Sequence, residues 1–249
     1  MTAPVFSPAS GAPLAGREVV IVGGGSGIGL EVARRAVAGG ARVTLGGRGA
    51  DRLAAAAESL GERARWHVVD TTDQESLAAF FAGVDRVDHL FTPAASYRVG
   101  PMRELSDSDA ESPFVSKFWG QYHTVKHAAA KLTPDASVVL MAGAASVRPP
   151  AAAPAYVACN AAIEGLGRGL AVELAPVRVN VVSPGTVDGN LWAGRPDRVR
   201  EESFAQYGRD ALLGRVGTEA EIADAVLFLF TSTFTTGSTL YPDGGYALR

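Results

Sequence analysis

The sequence predicts a single-domain α/β fold: a doubly wound parallel sheet of about seven strands with helices on both faces. Short runs rich in β-branched residues alternate along the whole chain with stretches whose apolar residues recur at helical spacing. The leading run, Val19-Val20-Ile21-Val22, is apolar throughout, as a strand covered on both sides must be. Of the 249 residues 47% are hydrophobic and 20% charged, with no Pro/Gly/Ser-rich linker between halves, so one large core is within reach.

Residues 1–16 contain three prolines and read as an irregular leading segment, without the basic start and apolar core of a signal peptide. The domain is expected over 17–249. After the strand at 19–22 comes a helix from Gly29 onward, then a strand at 42–45, a helix at 51–60 and a strand at 66–69. A helix at 74–81 precedes a strand at 89–91, and a longer helix runs over 113–132. The strand at 137–141, the helix at 155–174 and the strand at 177–182 continue the rhythm. Helices at 198–212 and 219–230 lead to a short last strand at 238–241, and no internal repeat interrupts the order.

The lone cysteine, Cys159, excludes an internal disulfide and a cysteine-based metal cluster. A formal net charge of −3 with interspersed signs offers no basic stripe to nucleic acid. No apolar run is long enough to cross a membrane. The expectation is a cytoplasmic protein with a small-molecule substrate and neither nucleic-acid nor membrane partners.

The strand at 19–22 feeds directly into Gly23-Gly24-Gly25-Ser26-Gly27-Ile28-Gly29 and then a helix. Glycines in a strand-to-helix turn let the backbone approach a pyrophosphate, and the helix start supplies free N–H groups and a positive dipole end. This is the phosphate-binding geometry of a Rossmann-type sheet. Gly23, Gly25, Ser26, Gly27, Ile28 and Gly29 are therefore expected to hold a dinucleotide. Ligands of such sheets lie beyond the carboxyl ends of the strands. After the second strand, Gly47 stands where an acidic residue would select a free ribose hydroxyl, and Arg48 follows. This favours NADP(H), with Arg48 on the 2′-phosphate; the other reading of Arg48 is a solvated loop residue. Asp70, after the third strand, either accepts from the adenine amino group or caps a helix.

The spacing of the glycines resembles that of the short-chain dehydrogenase/reductase family. So do Tyr156 opening a small-residue helix, the segment Arg178-Val179-Asn180-Val181-Val182-Ser183-Pro184-Gly185, and the stretch from Thr236 to Gly245. The likeness covers Val19 to Gly245 and implies an atypical member with an altered catalytic set. The family uses an Asn, a Ser, a Tyr and a Lys, and here only Tyr156 is unchanged. The lysine belongs four residues after the tyrosine, where Asn160 stands; the asparagine belongs on the preceding long helix, where Lys117 stands. The exchange leaves one cation and one amide in the same cavity, and a nearby cation draws a phenol down from its ordinary pKa of about 10. Otherwise Lys117 is an exposed helix residue and Asn160 a spacer. Thirteen residues before Tyr156, where the serine belongs, stands Gly143. Ser146 either reaches in from further along that loop or caps local backbone.

The family's Asn-Asn-Ala-Gly reads Thr92-Pro93-Ala94-Ala95 here, which puts Ala94 beside the cofactor and removes a donor at Pro93. Pro184, Gly185 and Val187 match the segment that holds the nicotinamide carboxamide, Gly189 replaces a threonine, and Asn190-Leu191-Trp192 looks like a lid. Tyr97, Arg98, Arg148 and Trp192 are candidates to line the pocket. His123 and His127, four apart, lack the Glu of a metalloprotease pair and read as a polar helix face. The resemblance implies an NADPH-dependent reductase, with Tyr156, Lys117 and Asn160 as the catalytic set, acting on a ketone or on an iminium or hemiaminal carbon. It also implies a homo-oligomer, dimer or homotetramer, built through the long helices and the C-terminal segment. The alternative is a catalytically inactive NADP(H)-binding regulatory or structural protein on the same scaffold.

Overall fold

A computed structural model describes residues 13–193 and 195–248; most of the irregular segment expected at 1–16 lies outside them. Within that segment Pro13–Gly16 form a turn, and Leu14 is buried with its N–H bonded to Gly39 O.

The strands β1 (Glu18–Val22), β2 (Arg42–Gly47), β3 (Ala64–Val68), β4 (Val87–Thr92), β5 (Leu132–Met141) and β6 (Arg178–Val182) are joined late in the chain by β9 (Thr239–Leu240). They form one seven-stranded sheet in the order β3-β2-β1-β4-β5-β6-β9. Every pair is parallel. The order reverses between β1 and β4, which opens a crevice past Val22 and Thr92.

Helices cover both faces because strands buried on two sides need two apolar layers. On one face α1 (Gly27–Ala38), α2 (Ala50–Leu60) and α9 (Glu219–Thr231) bring Val32, Leu53, Ile222 and Val226 against Ile21, Leu45, Phe91 and Val139. On the other, α3 (Gln74–Ala82), α5 (Gly120–Ala128) and α6 (Pro154–Glu173) bring Leu77, Phe80, Val125 and Ile163 against Val20, Leu90, Val138 and Val181.

The helix expected at 113–132 differs from expectation in a way that bears on the site. It begins earlier, as α4 (Asp107–Pro113), and passes through a π-helical stretch, Phe114–Trp119, before α5. Pro113 has no N–H, so the regular ladder is broken where the widened turn begins. Side chains satisfy the freed carbonyls: Ser112 Oγ donates to Asp109 O at 2.7 Å, and Ser116 Oγ to Ser112 O at 3.0 Å. Beyond β6 a small parallel pair, β7 (Val187–Asp188) with β8 (Gly217–Thr218), and the short helix α7 (Asn190–Ala193) precede α8 (Asp197–Asp210). These pieces are too short to leave a periodic signal in the sequence. Among the described residues no helix is long and apolar enough to cross a membrane.

Candidate active site

The glycine turn is built to keep side chains out. Gly23 and Gly27 have φ of +108° and +60°, the left-handed region that favours glycine. A Cβ on Gly29 would lie 2.1 Å from Gly23 O, so the start of α1 packs directly on the turn. Gly23 N and Gly24 N donate to Gly46 O at 2.7 and 3.2 Å, tying the turn to the end of β2. Ser26 at the N-cap makes no side-chain capping bond, and no acidic residue stands in the first turn of α1. The opposite wall is Ala94, whose N–H donates to Val22 O at 3.1 Å and leaves 2.7 Å for a Cβ on Gly23. Open backbone and an uncapped helix start fit the pyrophosphate of a dinucleotide.

The residues expected at its two ends divide. Arg48 lies just past β2 and is exposed, and Arg52, which sequence reasoning missed, lays its methylenes over Gly25. Asp70 uses Oδ1 to close a local turn, accepting from Thr72 N at 2.9 Å and Thr72 Oγ1 at 2.8 Å, while Asp73 caps α3. Those bonds hold its carboxyl below the usual range. At the far end Pro184 O accepts from Ala144 N at 2.8 Å, and Gly185 packs against Asp243, leaving no room for a Cβ. Val187 enters the small β7–β8 pair. A second residue missed in the sequence, Glu219, puts Oε1 against Gly27 and Gly189 and accepts from Asn190 N at 3.2 Å. A threonine at 189 would collide with it, since a Cβ there lies 2.4 Å from Glu219 Oε1.

The π-helical turn carries Lys117 inward. Its side chain is 4% exposed, and Nζ donates to Ala142 O at 2.9 Å and to Asn160 Oδ1 at 2.5 Å. Asn160, fully buried, donates through Nδ2 to Tyr156 O at 2.8 Å. The reading of Lys117 as an exposed helix residue, and of Asn160 as a spacer, is therefore overturned. Lys117 Nζ lies 5.2 Å from the Tyr156 ring centroid and 5.8 Å from that of Tyr97. Tyr97 and Tyr156 are stacked, with centroids 5.1 Å apart and planes at 27°. Burial by itself pushes the Tyr156 phenol up. The Lys117 ammonium, with the neighbouring Tyr97 hydroxyl and Asn160 amide, outweighs burial and holds it below its ordinary value.

Gly143 borders this cavity, since a Cβ there would point 3.2 Å from Tyr156 Oη and 3.3 Å from Asn160 Oδ1. Ser146 does not fill the gap. Its Oγ donates to Glu164 Oε1 at 2.5 Å, beside Ser183 Oγ at 2.8 Å, while Tyr241 Oη donates to Oε2 at 2.9 Å. Glu164 lies two helical turns beyond Tyr156 and pins the loop after β5 to the sheet.

The other pocket candidates scatter. Arg148 binds Asp210 O and Tyr246 O and lies over the Tyr246 ring, so it anchors the C-terminal segment instead of lining a pocket. Trp192 is buried against Phe204 and Tyr207. Arg98 is exposed. His123 stacks on Trp119 and His127 Nε2 is bonded to Gln74, and among the described residues no group of three metal-ligating side chains assembles.

Comparison with known proteins agrees with this geometry. A family model described as enoyl-(acyl carrier protein) reductase matches residues 23–247. The cis-4-hydroxycyclohexanecarboxylate dehydrogenase of Sinomonas cyclohexanicum is 32% identical, over 95% of this chain and 98% of its own. The L-tagatose-forming galactitol 2-dehydrogenase of Cereibacter sphaeroides is 33% identical, over 94% and 96%. A small-chain dehydrogenase solved in complex with NADPH superposes with a TM-score of 0.79 at 29% identity, covering 94% of this chain and all of its own. With that family model over most of the chain and relatives above 30% identical along nearly its whole length, the chain belongs to the short-chain dehydrogenase/reductase family, whose members are nicotinamide-dependent oxidoreductases.

Proposed function

We propose that the protein is an NADP(H)-dependent reductase that converts the carbonyl group of a small organic molecule to an alcohol. The observation that carries this reading is the buried ammonium of Lys117, held by Ala142 O and Asn160 Oδ1 and facing Tyr156. Burying a charge is costly without compensation, and this one is placed where it tunes a phenol.

When bound, the reduced nicotinamide supplies hydride. The chain's own part is to orient, to exclude water and to manage the proton. Gly23 to Gly29 cradle the phosphates, with Ala94 on the facing wall, and Pro184, Gly185 and Val187 border the nicotinamide end. Tyr156 Oη gives its proton to the oxygen of the substrate, and Lys117 stabilises the phenolate left behind. Asn160 fixes the direction of the ammonium. Arg48, with Arg52 nearby, supplies positive charge for a 2′-phosphate, and the NADPH-bound relative is consistent with that choice. Asp70 keeps its second carboxylate oxygen for the adenine.

Gly143 favours a second substrate class. With no serine side chain on that loop, an iminium carbon, or a hemiaminal that collapses to one, is reduced without any need for a donor to an oxyanion. The exposed side chains Val115, Trp119 and Tyr122 on the α4–α5 helix supply an apolar face for the homo-oligomer.

The test is oxidation of NADPH, followed by its absorbance, across a panel of ketones, quinones and cyclic imines. Turnover of a ketone supports the main reading and turnover of imines alone supports the second. Tight NADPH binding with no turnover of any compound supports the inactive binding protein instead.

A further inference from the structure

Resting on the proposed carbonyl reduction, we infer that Tyr97 is a second catalytic residue, whose hydroxyl donates to Tyr156 Oη and so takes over the charge-stabilising work that a serine at Gly143 would have done.

The loop after β5 brings no hydroxyl to the reacting oxygens. Ala142 and Gly143 have none, and the Ser146 hydroxyl is committed to Glu164. Tyr97 arrives from the other side, on the loop between β4 and α4. It stacks on Tyr156, with ring centroids 5.1 Å apart and planes at 27°, which makes the two phenols neighbours that act on each other's acidity. One ammonium faces both rings, at 5.2 and 5.8 Å. Both tyrosines are only partly buried, so the pair stays open to a small molecule.

The two phenols are set apart in acidity, as a donor and an acceptor must be. Burial, together with the Tyr156 oxygen beside it, pushes Tyr97 well above its ordinary value, while Tyr156 lies below its own. Of the two phenols Tyr97 is thus the one suited to donate and Tyr156 the one suited to accept. The groups facing it are Tyr156, Lys117 and the Cys159 thiol.

The step balances as follows. The substrate carbon gains a C–H bond from hydride, the carbonyl π pair moves to oxygen, and that oxygen takes the proton from Tyr156 Oη. The resulting phenolate accepts from Tyr97 Oη–H, faces the Lys117 ammonium, and is reprotonated from water. A hydrogen bond to a charged oxygen is worth more than one to a neutral oxygen, so the donor acts most strongly when the charge has formed.

The substitution that isolates the hydroxyl is Tyr97→Phe, which keeps the ring stack. In the protein without cofactor, the tyrosinate absorbance of Tyr156, identified by its loss in Tyr156→Phe, is expected to titrate at higher pH in Tyr97→Phe than in wild type. With NADPH and a ketone that wild type reduces, kcat is expected to fall about tenfold to a hundredfold, with KM for NADPH unchanged. Gly143→Ser in the Tyr97→Phe background is expected to recover much of the loss. Gly143 has φ of −177°, ordinary extended backbone, and its two tight neighbours are side-chain ends. Wild-type kcat in Tyr97→Phe, or a fall in kcat with no change in the titration and no rescue by serine, overturns the assignment while leaving the reductase reading intact. Absence of ketone turnover in wild type overturns the reductase reading, and the catalytic role of Tyr97 with it.

Discussion

The phosphate half of the cleft and the reacting half would meet the two ends of one ligand, yet they are built from different materials. Between Gly23 and Gly29 the wall is backbone: left-handed glycines, a helix start left uncapped, and a Gly23 oxygen that would stand only 2.1 Å from a Cβ at Gly29. Around Tyr156 it is made of side chains, with the Lys117 ammonium on the α4–α5 helix donating to the Asn160 amide oxygen on α6. Backbone geometry tolerates almost no substitution, because a Cβ cannot be withdrawn. A side-chain site specifies where a charge must be, and more than one helix can deliver it.

That contrast predicts unequal responses to mutation. The largest is expected for Gly29→Ala, where the new Cβ strikes Gly23 O and the turn must open; NADP(H) binding should vanish from calorimetry. Binding at wild-type strength would show that the turn does not cradle the phosphates. Next comes Lys117→Met, which removes the ammonium but keeps the length of the side chain. Carbonyl reduction is expected to fall about a thousandfold, and Lys117→Asn with Asn160→Lys to recover part of it by returning the charge to the helix of Tyr156. Full activity in Lys117→Met would make the charge irrelevant to the chemistry.

Smaller effects sharpen the phosphate half. Arg48→Ala should weaken NADPH binding about tenfold and leave NADH binding unchanged; equal losses for both would remove Arg48 from the 2′-phosphate. Glu219→Gln, which neutralises the carboxylate beside Gly27, should tighten binding of either cofactor only about twofold to fivefold, because a partly exposed charge is screened. No change, or weaker binding, would mean that Glu219 serves only to hold Asn190 N.

The two halves also differed in how far they could be read beforehand. Apolar β-branched runs and the glycine spacing predicted the sheet and its cradle, since both depend on local residue type. The resemblance to the family implies that Lys117 and Asn160 share one site, and the structure bonds them to each other. What stayed hidden depends on geometry without a local signature. The π-helical turn that aims Lys117 inward comes from one missing N–H at Pro113, and a helix period of 3.6 residues does not announce it. Tyr97 sits on an aperiodic loop, so its stack on Tyr156 has no pattern to betray it. Ser146 looked available in the sequence because its partner, Glu164, lies 18 residues away on another element. Asp70 was placed correctly at a strand end, but the sequence could not show that Thr72 claims one of its oxygens.

The account depends most on the field that Lys117 places on Tyr156, and this can be measured without substrate or cofactor. Tyrosinate absorbance followed against pH, with Tyr156→Phe to identify the signal, should show Tyr156 ionising below the ordinary phenol value of about 10 in wild type and moving upward in Lys117→Met, where the ammonium that most opposes burial is gone. A Tyr156 titration that is the same in both proteins would contradict it.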